Sequence, residues 1–77
     1  MESRKENRGI SITLSSEEAL VLLDWVTRFN EDENTFQDQA EERILFDLES
    51  ALEEKVSETF SDDYIAVLQR AREKVRD

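Results

Sequence analysis

Ser15-Ser16-Glu17-Glu18-Ala19-Leu20-Val21-Leu22-Leu23-Asp24-Trp25-Val26-Thr27-Arg28-Phe29-Asn30 decides the fold. Ser15 and Glu18 have the spacing of a capping box. In that motif the hydroxyl accepts from a backbone amide three residues on, and the carboxylate reaches back to the cap amide. A helix is expected from there to Phe29 or Asn30. Its apolar residues Ala19, Leu20, Val21, Leu22, Leu23, Trp25, Val26 and Phe29 cover roughly 260° of the circumference at about 100° per residue. Only Glu17, Asp24, Thr27 and Arg28 mark a polar edge. A surface helix carries a narrower stripe, so this one is expected to be buried on at least two sides.

Downstream, Asn30-Glu31-Asp32-Glu33-Asn34 reads as a short acidic loop. Thr35, with Asp38 three residues on, gives a weaker helix start. The second helix is expected to run to Val56 or Ser57. Phe36, Ala40, Ile44, Leu48, Ala51, Leu52 and Val56 recur at three- and four-residue spacing as its core stripe. Leu45 falls on the margin of that stripe, and Phe46 projects away from it among Arg43, Asp47 and Glu53. Ser61-Asp62-Asp63 opens a third helix with acids in its first turn. Its stripe is Tyr64, Ile65, Val67, Leu68, Ala71 and Val75. Arg70, Arg72, Lys74 and Arg76 lie toward its end, where bases complement the helix dipole. Leu22 and Leu48 are expected in the core.

Upstream, Gly9-Ile10-Ser11-Ile12-Thr13-Leu14 alternates apolar and small polar residues, the pattern of a strand. A lone short strand is not stable, and no second strand is visible downstream. The strand is therefore expected to pair with the same segment of another chain, or to be an extended lead-in. Residues 1–8 read as a flexible arm and residues 9–77 as a single helical domain. The fold class is mainly α: a short N-terminal strand, then three helices, dimeric.

Composition narrows the chemistry. The 77 residues hold 20 acids and 10 bases, a net charge of -10, with no His, Cys or Pro and one Gly. Disulfides are excluded, and so is a zinc site built from Cys and His. A chain of this size buries only about 60% of its unfolded surface, so oligomerisation is the expected source of further burial. No apolar run is long enough to span a membrane. The N-terminus lacks the apolar middle of a signal peptide, so a cytoplasmic location is expected. Between Ser15 and Asp63 the only bases are Arg28, Arg43 and Lys55, so this part of the chain should repel nucleic acid and anionic lipid.

Arg8-Gly9-Ile10-Ser11-Ile12-Thr13-Leu14-Ser15-Ser16-Glu17-Glu18, followed by Leu20, Leu22 and Leu23, resembles the opening of ribbon-helix-helix proteins. That resemblance implies a strand paired with its two-fold mate, with outward residues Gly9, Ser11 and Thr13 reading the DNA major groove. The chain departs from the family where the second helix would meet phosphate. Asp38, Glu41 and Glu42 stand there, that helix is longer, and a third helix is appended. A broader resemblance rests on Glu17 to Val26, Asp38 to Leu45, and Leu48-Glu49. It is to small uncharacterised bacterial acidic helical proteins with an EALVLL-D-W helix, and it implies a bacterial origin and no activity.

Asn30, Asp32, Asn34, Asp38 and Glu41 fall at positions one, three, five, nine and twelve of an EF-hand-like loop. Thr35 stands where that loop wants Gly, so an exposed acidic loop is the expected reading. Glu42, Glu49 and Glu53, with Asp38, lack the His that a di-metal bundle site needs, and are expected on a solvated helix face. No residue is read as catalytic and no cofactor or metal is implied. Trp25 and Phe46 stand at or beyond the edges of their stripes, as interface aromatics do; for Phe46 a satellite contact with the N-terminal segment is the equal alternative. With Ile10 and Ile12 on the strand they are the candidate partner-binding residues. The expected function is a small acidic non-catalytic protein-interaction module, a homodimer with an unknown protein partner. Its alternatives are a ribbon-helix-helix-like DNA-binding regulator and an acidic nucleic-acid mimic.

Overall fold

The computed structural model describes residues 1–32, 36–57 and 61–77. Two strands, β1 (Glu2–Glu6) and β2 (Gly9–Thr13), precede three helices, α1 (Ser16–Asn30), α2 (Gln39–Lys55) and α3 (Tyr64–Arg76). The expected mainly α class holds, with one correction. β2 is not alone: it pairs antiparallel with β1, with Ser3 opposite Ile12 and Lys5 opposite Ile10. The segment read as a flexible arm thus supplies the missing strand. Its sequence gave no sign of this because Glu2-Ser3-Arg4-Lys5-Glu6 has no apolar residue, and every residue of β1 is exposed. The chain reverses at Asn7-Arg8, and the only positive φ among the described residues, +157°, falls on Gly9, where a side chain would be strained.

A two-stranded hairpin is marginal by itself. This one is tied to the helices at its open end. The Met1 ammonium lies 3.1 Å from Glu18 Oε2, and Leu14 packs on the core.

α1 starts as its sequence dictates. Glu18 N donates to Ser15 Oγ at 3.1 Å, and Ser15 N donates to Glu18 Oε1 at 2.8 Å, which completes the capping box. The helix is central: α2 and α3 each pack on it, which meets the expectation of burial on two sides. The core comprises Leu20, Leu23 and Val26 from α1, Leu52 and Val56 from the end of α2, and Leu68 and Ala71 from α3. Leu22 and Leu48, expected in the core, are half-buried at its margin.

α2 is capped by Asp38, whose Oδ1 accepts from Ala40 N at 2.8 Å. Thr35, the expected cap, lies outside the described residues. The buried face of α2 is turned from the expected stripe. Ile44 is 64% exposed and Ala40 and Ala51 are exposed, whereas Leu45 packs against the core. Glu49 explains the rotation. Its Oε1 accepts from Asn30 Nδ2 at 2.7 Å and its Oε2 from Thr27 Oγ1 at 3.2 Å. Leu45 O accepts from the same Asn30 amide at 3.2 Å. Glu49 is therefore not on a solvated face: it is a polar contact between α1 and α2, and facing it inward carries Leu45 in and Ile44 out.

α3 begins one residue after the acids expected in its first turn. Asp63 occupies the cap position without a side-chain cap bond. Asp63 N donates instead to Ser61 Oγ at 3.2 Å. Of the expected stripe, Leu68 and Ala71 are buried, Tyr64 and Val67 half-buried, and Ile65 and Val75 exposed.

Candidate functional site

α1 has three sides. One faces α2 through Thr27 and Asn30. A second faces α3, held by Asp24. Asp24 Oδ1 accepts from the Tyr64 hydroxyl at 3.1 Å, and Oδ2 accepts from Arg72 Nη2 at 3.2 Å and from Arg28 Nε at 3.0 Å. The third side carries Val21, Leu22, Trp25 and Phe29, spaced by three and four residues so that they share one face. A helix covered on two sides ordinarily turns polar residues to the third. Here the third side carries Glu18 at its start and is otherwise apolar.

An aromatic row extends this side. The Trp25 ring stacks on Phe29 with centroids 4.9 Å apart, Phe36 meets Phe29 edge-on at 5.5 Å, and Phe46 meets Phe36 edge-on at 6.2 Å. These are the offset and T-shaped geometries that aromatic quadrupoles favour. Trp25 and Phe46 end the row, 44% and 42% exposed. Phe46, off its own stripe in sequence, finds its ring partner in Phe36.

On the other flank, Trp25 and Val21 share a shallow apolar depression with Met1 and Val75. Through Met1 and Leu22 the depression adjoins a groove of 490 Å³ between the hairpin and the helices, lined by Ile12, Leu14, Leu48 and Ala51 among others. Opposed residues of an antiparallel pair share a sheet face, so Ile10, Ile12, Ser3 and Lys5 stand together on the groove side of the hairpin. Ile10 and Ile12 remain 74% and 60% exposed. The structure thus brings Trp25 and Ile12 onto adjoining parts of one apolar surface. Phe46 joins through the aromatic row, and Ile10 lies farther out along β2.

Charge on this side is sparse and compensated. Glu18 is the acid beside the depression. Its carboxyl is held below its ordinary value, first by the Ser15 backbone amide and then by the N-terminal ammonium. Glu17, toward α3, is lowered by a backbone hydrogen bond and by Lys74, whose Nζ lies 3.2 Å from its Oε1.

The calcium-loop positions do not converge as ligands. Asn30 bonds Glu49 and Leu45, Asp38 caps α2, and Glu41 Oε1 accepts from Gln37 N at 3.1 Å. Asn34 lies outside the described residues. Among the described residues no group of three or more His, Cys, Asp or Glu is placed to hold a metal ion. No described helix is long and apolar enough to cross a membrane. Asp24 and Glu49 are the polar residues that sequence reading undervalued. Asp24 carried one signal, Arg28 four residues on, and Glu49 carried none. Comparison with protein-family models, curated proteins and solved structures finds no match for this chain.

Proposed function

We propose that the chain is a small acidic non-catalytic protein-interaction module that works as a homodimer. The observation that carries this reading is the balance of its apolar side chains. Among the described residues seven apolar residues are buried, while Met1, Ile10, Ile12, Trp25, Ile44, Phe46, Ile65 and Val75 stay between 42% and 80% exposed. Exposed apolar residues scattered singly need no explanation, whereas a contiguous exposed apolar patch marks an interaction site. Trp25, Met1 and Ile12 are part of such a patch.

The charge supports a protein partner over nucleic acid. Phosphate contacts supply most non-specific DNA affinity, and the bases of the hairpin, Arg4, Lys5 and Arg8, are outnumbered across the chain. One of them, Arg4, already lies 3.5 Å from Glu6. The test is a fluorescence titration with duplex DNA at physiological salt, run beside sedimentation of the protein alone. Self-association without sequence-dependent DNA binding is the expected result. Sub-micromolar, sequence-dependent DNA binding lost in Arg4→Ala, Lys5→Ala and Arg8→Ala would overturn the proposal in favour of a ribbon-helix-helix-like regulator.

A further inference from the structure

We infer that the third side of α1, centred on Trp25, is where a second copy of the chain packs, α1 against α1 about a two-fold axis. This rests on the interaction-module reading and names the partner and the face.

The size of the unburied surface carries it first. A compact monomer of 9.1 kDa exposes about 4,900 Å². This chain exposes 6406 Å², an excess of about 1,500 Å² over that scaling. A stable protein–protein interface takes about 800 Å² from each partner. The excess is summed over the whole chain, the fully exposed β1 included, and it is larger than the area that one interface of ordinary size takes from a partner. The radius of gyration agrees: 13.7 Å against about 11.5 Å for a compact chain of this length.

The pattern on the helix carries it next. Val21, Trp25 and Phe29 lie at four-residue steps, with Leu22 beside them, so they form an oblique apolar ridge along α1; Val21 and Leu22 touch the core beneath it, and Glu18 flanks its start. A two-fold axis near Trp25 sets this ridge against itself, since a two-fold interface uses the same patch on both copies. Trp is the residue type most enriched among the side chains that carry binding energy.

Charge decides between a second copy and a basic partner. Two copies of net charge -10 repel, so a self-associating face must hold no free carboxylate. Glu18 meets that condition: Oε1 accepts from Ser15 N and Oε2 from the Met1 ammonium. The groove adds Lys55 and no acid. A face built for a basic segment would instead place unengaged carboxylates at the ridge.

The two occupants differ in salt dependence. Screening weakens repulsion between like-charged copies and weakens attraction to an oppositely charged partner. Sedimentation and Trp25 emission are followed over a concentration series of the full chain, at low and at high sodium chloride. The expected result is a dimer whose dissociation constant falls several-fold with added salt, with emission shifting to the blue as the dimer forms. Trp25→Glu should leave a monomer with native helical circular dichroism. Ile65→Glu, on exposed α3 surface outside this face, should leave the dimer intact. If Trp25→Glu does not fold, the emission series of the native chain decides. A dimer whose Trp25 emission does not change with concentration, or one lost in Ile65→Glu but kept in Trp25→Glu, overturns the face and leaves the interaction module standing. A native chain that stays monomeric yet binds a basic amphipathic peptide, less tightly as salt rises, overturns the second copy, and with it the homodimer of the proposed function, and keeps the interaction module. A monomer that binds no such peptide overturns both.

Discussion

Asp24 shows how much can depend on one side chain in a small fold. It lies on a helix of mostly apolar residues and accepts from Tyr64, Arg72 and Arg28, so it joins α1 to α3. Removing an acceptor from a partly buried set of donors costs the desolvation of those left behind, about 1–3 kcal/mol. Asp24→Ala is expected to lose that much in urea unfolding. The same contact perturbs Tyr64, the single tyrosine, whose absorbance titration is therefore free of overlap. Burial raises the Tyr64 hydroxyl above its ordinary 10.0, and donation to Asp24 raises it further. The raised value belongs to the folded state, so the contribution is whole below pH 10.0 and is lost as pH climbs through the folded value. Asp24→Asn should bring the titration back toward 10.0; an unchanged curve would show that Asp24 has no part in the shift. Among the leucines, Leu20→Ala should cost about 2–5 kcal/mol as a buried truncation. Leu22→Ala, at the margin, should cost less in folding and more in association, as should Phe46→Ala.

At the scale of the element, α1 was the most legible part of the chain and β1 the least. Ser15, Glu18 and the wide apolar arc of α1 are local facts, and local facts survive folding. The Ser15 cap is worth about 1 kcal/mol, which Ser15→Ala should remove in thermal or urea unfolding. Its Glu18 half is expected to be pH-dependent. The folded Glu18 carboxyl lies below its ordinary 4.5, so its contribution is present above that pH and is lost as pH falls through the lowered value. Glu18→Gln should destabilise at neutral pH, and its difference from the native chain should vanish in acid. A difference that persists in acid would place the effect outside the carboxylate. β1 was illegible because alternation is a signature of burial on one face, and Glu2-Ser3-Arg4-Lys5-Glu6 buries neither. The turn of α2 was hidden for another reason. Ile44 is the more apolar choice for the inner face by spacing alone, but Thr27 and Asn30 on α1 both donate to Glu49, and Leu45 O shares the Asn30 amide. A partner on another helix settled the register, and no window of α2 sequence contains that partner.

For the whole molecule, the helices and the apolar excess of α1 were readable from period, while the placement of that excess was not. Trp25 was singled out because its stripe was too wide for one neighbour. Two neighbours are present, and the excess still faces outward. The unpaired strand, the other sequence argument for a dimer, falls away once β1 pairs with β2. The case for self-association now rests on the third side of α1 and on an exposed area beyond that of a compact chain. It implies a coupling of stability to concentration, because a ligand that binds only the folded state stabilises it by mass action. The unfolding midpoint should therefore rise as protein concentration rises. Sedimentation equilibrium of the full chain at physiological salt, across the micromolar range, tests the homodimer most directly. A species of twice the 9.1 kDa chain mass that dissociates on dilution is the expected result; a folded species of 9.1 kDa at every concentration would contradict it.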